Sequence, residues 1–154
     1  MPVCACGSER LHLRAEAKRR YLGKLSGPLL DRVDLRIEMH TVRAGAFAVE
    51  EGESTAAVRE RVAAARAVAE ERWRPHGIRT NAEVSGALLR RKFRPEAVAM
   101  RPLRTALDRG QLSIRGVDRT LRVAWTLADL AGRTSPGLEQ VTTALSFRQG
   151  GDVR

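Results

Sequence analysis

The chain has 154 residues, which corresponds to one domain and is long enough to bury a modest core. Hydrophobic residues make up 43% of it and aromatic residues only 4%, which favours helices packed through small side chains over a β-sandwich. The formal net charge of +10 favours a polyanionic partner, either nucleic acid or nucleotide phosphate, although most of these cations also fit a solvated surface.

The N-terminus offers little for metal binding or membrane targeting. Cys4 and Cys6 lie one residue apart, a spacing that strains a disulfide, and a tetrahedral zinc site needs about four ligands. The three histidines are scattered, so we expect no metal site. No apolar run approaches the roughly 18 residues of a membrane span, and no signal peptide is recognisable. We therefore expect a cytoplasmic protein without a membrane partner.

The first third of the chain reads as part of an α/β layer. A basic helix is predicted over 9–25, and a Ser-Gly-Pro turn at 26–28 leads into a short helical turn. Apolar and polar residues then alternate over 35–42, which predicts a strand. We find no second strand in the sequence, and a lone strand cannot satisfy its own backbone groups. The pattern therefore indicates that its sheet lies outside this chain.

The remainder, after a linker at 43–53, has the pattern of a helical bundle. Ser54, Asn81 and Ser113 are suitable N-caps, and Pro102 predicts a kink or a split within its helix. The predicted helices span 55–74, 82–92, 95–109, 114–131 and 138–149.

Apolar stripes on the helices predicted over 55–74 and 114–131 predict the core. The stripe of the first helix is Val58, Val62, Ala65, Ala69 and Trp73, at spacings of three and four residues. We therefore predict a mainly α fold in two parts. Residues 1–50 are a remnant of an α/β domain, with one helix, a turn and one strand, and residues 51–154 form the helical bundle.

Arg32 is the first candidate for chemistry. It follows a Gly-Pro turn and lies between Asp31 and Asp34. A guanidinium on a rigid turn can reach a phosphate with two hydrogen bonds. The competing interpretation is an ion pair between Arg32 and one of these two carboxylates.

Arg115 is the second candidate, in the first turn of the helix that Ser113 caps. A cation there opposes the positive end of the helix dipole, and an anion bound at the same place would offset that cost. The competing interpretation is an ordinary surface arginine.

A charged face continues from Arg115 through Asp118, Arg119 and Arg122 towards Trp125. A tryptophan at this position fits either a contact surface or the core, and the sequence leaves both open.

Several catalytic patterns are missing from the sequence. It has no G-x-x-x-x-G-K-[ST] phosphate loop and no apolar strand that ends in paired acids able to hold magnesium. No Ser/His/Asp or Cys/His set stands out. We therefore do not expect this chain to hydrolyse a substrate on its own.

The run Ser-Gly-Pro-Leu-Leu-Asp-Arg-Val-Asp-Leu at 26–35 resembles a signature of the magnesium-chelatase-like ATPases of the ComM/YifB group. Further similar segments follow in the family's order, and the resemblance covers about residues 20–149. They are the V-R-E-R-V-x-x-A-R segment at 58–66, Asn81 to Glu83, the L-S-x-R block from Leu112 to Leu130, and the closing A-L-x-x-R at 144–148.

This resemblance implies a AAA+ module whose helical lid is formed by residues 51–154. Arg32 resembles the arginine finger that reaches the ATP of the neighbouring subunit, and Arg115 resembles the sensor-2 arginine of the lid. The intact protein is then a homo-oligomeric ring that uses ATP and Mg²⁺, with DNA processing implied for some members. This chain alone is expected to bind neither.

The sequence also departs from the family. The sensor-1 asparagine that precedes the family's first Cys-x-Cys is absent before Cys4, and Trp125 stands where many relatives have arginine. The resemblance places the ATP cradle upstream of Met1. Two other functions remain open, namely a small basic helical DNA-binding domain that acts without ATP, and a non-functional truncated relic.

Overall fold

The computed structural model describes residues 20 and 23, residues 32–37 and residues 52–149. Five α-helices account for most of this part of the chain, and no strand occurs within it, which confirms the predicted helical bundle. The helices are α1 (Thr55–Trp73), α2 (Gly86–Arg91), α3 (Ala97–Asp108), α4 (Ile114–Leu130) and α5 (Leu138–Gln149).

Serine caps begin helices α1, α2 and α4, as the sequence predicts for α1 and α4. The Ser54 hydroxyl accepts a hydrogen bond from the backbone N–H of Ala57 at 3.2 Å, and the Ser113 hydroxyl accepts one from Gly116 at 3.0 Å. Gly132, with a φ of 64°, follows the end of α4 in the left-handed conformation that glycine adopts without strain.

Two predicted helices differ from those observed. The helix predicted over 82–92 is shorter and is capped by Ser85, because Asn81 begins a separate 3-10 turn and its side chain is used elsewhere. The predicted split at Pro102 is wrong, because α3 continues from Ala97 to Asp108 with that proline inside it.

The predicted N-terminal elements fall mainly outside the described residues. Residues 20 and 23 are helical, and the rest of the predicted helix over 9–25 is not described. Of the strand predicted over 35–42, residues 35–37 are described and are not in a strand. The Arg36 N–H instead donates to the carbonyl of Phe147 in α5 at 2.8 Å, so it pairs with a helix end.

Helix α4 lies at the centre and contacts each of the other four helices. Leu121 of α4 is fully buried, together with Trp73, Leu89 and Leu103 from the surrounding helices. The apolar stripe of α1 is buried only over its C-terminal half, and Val62 is 38% exposed. Among the described helices, none has the length and hydrophobicity that crossing a membrane requires.

Close packing of α2 against α4 depends on a glycine. A Cβ atom added to Gly86 would lie 1.8 Å from a carboxylate oxygen of Asp118, so only glycine leaves room for that side chain. Asp118 in turn forms an ion pair with Arg90 on α2. The start of α4, which carries Arg115, is thereby tied to α2.

Candidate functional site

The segment 32–37, which contains Arg32, lies against the end of α5. Arg148 is only 6% exposed, and its guanidinium donates to the carbonyl of Val33 at 3.0 Å. Three residues further on, the Arg36 N–H donates to the carbonyl of Phe147. Two hydrogen bonds to backbone atoms therefore fix the course of the segment without depending on its exposed apolar side chains.

A third contact ties the same segment to α4. Asp34 accepts a hydrogen bond from Nη1 of Arg119 at 2.5 Å, across 85 residues of sequence. Asp34 is one of the two carboxylates considered as an ion-pair partner for Arg32, and it is paired with Arg119 instead. Asp31, the other such carboxylate, lies outside the described residues.

Arg32 itself is exposed, in the turn just before Asp34. Its guanidinium makes no hydrogen bond or ion pair to any residue in the described part of the chain. A cation that is free of described carboxylates, on a segment whose backbone is held at three points, is suited to contact an external anion.

Arg115 is also exposed, in the first turn of α4, and makes no hydrogen bond or ion pair within residues 32–37 and 52–149. The Ser113 side chain satisfies the N–H of Gly116 at this helix start. The helix dipole still makes the place favourable for an anion, which would also neutralise Arg115.

The charged face predicted on α4 is divided between separate partners. Asp118 pairs with Arg90, and Nε of Arg122 donates to the carbonyl of Val84 at 2.9 Å. With Arg119 bound to Asp34, Arg115 is the member of this face that has no partner among the described residues. The face is therefore largely a set of internal contacts.

Trp125 belongs to the core. Its side chain is 4% exposed and meets the ring of Trp73 edge to face, with centroids 5.7 Å apart. Phe93 packs on it at 6.2 Å, and the guanidinium of Arg72 lies 4.3 Å from its ring centroid. Of the two interpretations that the sequence left open, the structure supports the core.

A buried polar network that the sequence did not predict lies beside Trp125. The carboxylate of Asp129 accepts two hydrogen bonds from Arg72, one at 3.2 Å, and a third from the Asn81 amide at 2.8 Å. The Asn81 carbonyl oxygen accepts from Nε1 of Trp73 at 2.7 Å. Because Asp129 follows Trp125 by four residues, both lie on the inner face of α4, and this spacing was the available signal.

None of the described carboxylates, histidines or cysteines forms a cluster of three or more that could hold a metal ion. Cys4 and Cys6 lie outside the described residues. Arg32 and Arg115 are guanidinium donors, which fit phosphate oxygens and cannot coordinate a cation.

Two family models match the chain. The model described as magnesium chelatase, subunit ChlI C-terminal, matches residues 52–148, and the model described as magnesium chelatase, subunit ChlI, matches residues 1–47. No solved structure gives a significant match.

Curated relatives agree with these family models. An uncharacterized protein of Mycobacterium tuberculosis is 77% identical over 140 residues, which are 91% of this chain and 28% of the relative. The competence protein ComM of Haemophilus influenzae is 34% identical over 131 residues, 84% of this chain and 25% of ComM. YifB of Escherichia coli is 36% identical over 135 residues, 86% of this chain and 26% of YifB. The chain thus spans about a quarter of the length of these relatives.

Proposed function

Because this chain belongs to the magnesium-chelatase-like ComM/YifB family of ATPases, we propose that it acts as the C-terminal part of a AAA+ ring. Arg32 is then the arginine finger for the ATP of the neighbouring subunit. Arg115 is the sensor-2 arginine for the ATP of its own subunit. Both stabilise charge that develops on the phosphates during hydrolysis.

The observation that carries this proposal is the contrast between these two arginines and their neighbours. Arg32 and Arg115 are exposed and have no partner among the described residues. Arg119, which lies on the same helix as Arg115, binds Asp34. A structural arginine is expected to hold a carboxylate or a carbonyl, and an arginine that serves ATP must stay available to it.

In this role the chain contacts ATP through the phosphate oxygens and does not itself hold Mg²⁺. The two guanidinium groups can hydrogen-bond phosphate oxygens, and the described residues offer no cluster of acids for the metal. Mg²⁺, when bound, neutralises charge on the phosphates. We therefore propose that the phosphate cradle and the metal ligands come from parts of the ring outside this chain, and that the isolated chain does not hydrolyse ATP.

The division of labour follows the predicted domains. Residues 1–50 belong to the α/β nucleotide-binding domain and carry the finger, and residues 51–154 form the lid. We propose a homo-oligomeric ring in the cytoplasm that processes DNA, as the resemblance to the ComM/YifB group implies for some members. Magnesium insertion into a porphyrin, which the broader chelatase family implies, fits this group less well.

A second candidate is binding of DNA by the basic helical domain without ATP. It is supported by the net charge of +10. Affinity of the isolated chain for duplex DNA that falls steeply with salt supports this candidate. If the chain neither binds DNA nor supports ATP hydrolysis in a ring, the third possibility, a non-functional truncated relic, is supported.

The proposal is tested in a ring that contains this chain. In such a ring, this chain replaces the matching 140 residues of the mycobacterial relative, and the variants are written in the numbering of this chain. Arg32→Ala is expected to leave ATP binding intact and to lower kcat by about 10³-fold, the scale of an arginine finger.

Mixing experiments separate the two roles. A ring that mixes Arg32→Ala subunits with subunits mutated in the phosphate loop is expected to regain part of the activity, since each subunit supplies what its neighbour lacks. Arg115→Ala acts within its own subunit and is not expected to be rescued by such a mixture. Arg32→Ala rings that assemble but cannot be complemented in any mixture contradict the proposed action across the interface.

A further inference from the structure

Arg119 links the helix that carries Arg115 to the segment that carries Arg32. Arg119 lies four residues after Arg115 on α4, a rise of about 6 Å along the helix, and it binds Asp34. Asp34 is two residues after Arg32. The helix that carries the sensor-2 arginine is therefore in direct contact with the segment that carries the finger.

The contact has three points, and they come from two helices. Arg119 on α4 binds the Asp34 carboxylate, Arg148 on α5 donates to the Val33 carbonyl, and the Phe147 carbonyl accepts from Arg36. Two of these bonds use backbone atoms of the segment, so they fix the path of the chain and not only a side chain. Helices α4 and α5 pack closely on each other, so the three contacts come from two adjoining helices.

We propose that Arg119 and Arg148 are positioning residues that hold the finger segment on the lid, so that Arg32 moves together with the helix that carries Arg115. This inference rests on the proposed function. A change at the ATP of one subunit, felt through Arg115, is then passed to the ATP of the next subunit through Arg32. Neither positioning residue touches ATP itself.

The charge of the Arg119–Asp34 pair is the part of this contact that can be reversed. Asp34 is 53% exposed and Arg119 is 23% exposed as side chains, so the pair is partly solvated and its two charges can be exchanged. The double variant Asp34→Arg with Arg119→Asp restores the pair with its ends exchanged. That exchange separates loss of the pair from loss of the fold.

The first measurement uses the 154-residue chain itself and follows amide hydrogen exchange at Arg36. Its N–H is bonded to Phe147 and is protected only while the segment lies on the lid. Arg119→Asp is expected to speed this exchange by about tenfold, because it removes an attraction and adds a repulsion. The charge-exchanged double variant is expected to restore protection.

The control for this measurement is Arg101→Asp, which reverses an exposed arginine on α3 and should leave Arg36 unaffected. Helical circular dichroism of each variant reports whether the bundle is folded. Unchanged exchange at Arg36 in a folded Arg119→Asp chain overturns the inference, because the pair then does not hold the segment.

The second measurement is ATP hydrolysis by the ring that contains this chain. Arg119→Asp is expected to lower kcat by between about 10- and 100-fold with KM for ATP unchanged, because it misplaces the finger without touching the nucleotide. In the Arg32→Ala background the same change is expected to cost less than about twofold, since both changes act through the finger.

The outcomes distinguish this inference from the proposed function. If Arg32→Ala abolishes turnover but Arg119→Asp leaves kcat unchanged while Arg36 loses protection, the finger stands and the positioning role is wrong. If Arg32→Ala has no effect on kcat, the proposed function itself fails. If the losses in kcat caused by Arg32→Ala and by Arg119→Asp multiply in the double variant, the positioning role is also contradicted, because independent sites have additive free-energy effects.

Discussion

The two ends of α4 use charged residues in opposite ways. At its start, Arg115 is exposed and has no partner in the described part of the chain. Near its end, Asp129 is 1% exposed as a side chain and accepts hydrogen bonds from Arg72 and Asn81. Both residues belong to the segment of α4 that resembles the family's block. The segment that resembles the family's block therefore contains a charge that is buried and hydrogen-bonded together with a charge that is exposed and has no described partner.

The Arg119–Asp34 pair stands between these extremes. It is bonded but only partly buried, so it contributes little to stability while it fixes a geometry. We therefore expect the fully bonded buried charges of this chain to govern its stability, and the exposed charges without described partners to contribute little to it.

The largest effect is expected from Asp129→Ala. The change leaves the guanidinium of Arg72, which is 12% exposed, without its counter-ion and leaves the Asn81 amide without an acceptor. Breaking such a buried pair from one side costs about 3–5 kcal/mol. We expect the free energy of unfolding, measured by urea titration of the chain, to fall by about 3 kcal/mol.

The matched control is Asp108→Ala, at the exposed end of α3, which should change stability by less than about 0.5 kcal/mol. A loss below about 1 kcal/mol for Asp129→Ala would show that the network is not what holds α1 to α4.

A smaller effect separates the two tryptophans. Trp73 donates from Nε1 to Asn81, whereas Nε1 of Trp125 is buried without a hydrogen-bond partner in the described part of the molecule. Trp73→Phe leaves the buried Asn81 oxygen without its hydrogen-bond donor, whereas Trp125→Phe removes no hydrogen bond. Because the two changes remove similar volume, we expect Trp73→Phe to be more destabilising by about 1–2 kcal/mol in urea titrations. Equal losses would mean that the Trp73–Asn81 bond contributes nothing net.

Local patterns made the helices of this fold predictable. Ser54 and Ser113 mark helix starts because a serine side chain accepts an otherwise unpaired N–H of the first turn. Arg32 and Arg115 could be singled out because a motif places them, and the structure leaves both exposed.

Long-range partnerships could not be read from the sequence. Asp34 meets Arg119 across 85 residues, and Asp129 meets Arg72 across 57. No periodicity encodes such pairs, because they depend on how helices pack after they form. The role expected for Asn81 was wrong for the same reason: its side chain serves a distant helix and not the cap of a nearby one.

The smallest stability effect is expected at Arg115. A cation in the first turn of a helix opposes the helix dipole, and alanine is the better helix former, so Arg115→Ala should stabilise the chain by about 0.3–0.5 kcal/mol. The gain should shrink as salt is raised, because the interaction is exposed and screened. Arg119→Ala, one turn later on the same helix, should instead destabilise by about 0.2–1 kcal/mol through loss of Asp34. The opposite signs of two arginine truncations on one helix are measured by parallel thermal melts at low and high salt. A loss above about 1 kcal/mol for Arg115→Ala would mean that Arg115 has a structural partner after all, and the availability on which the sensor-2 role depends would be gone.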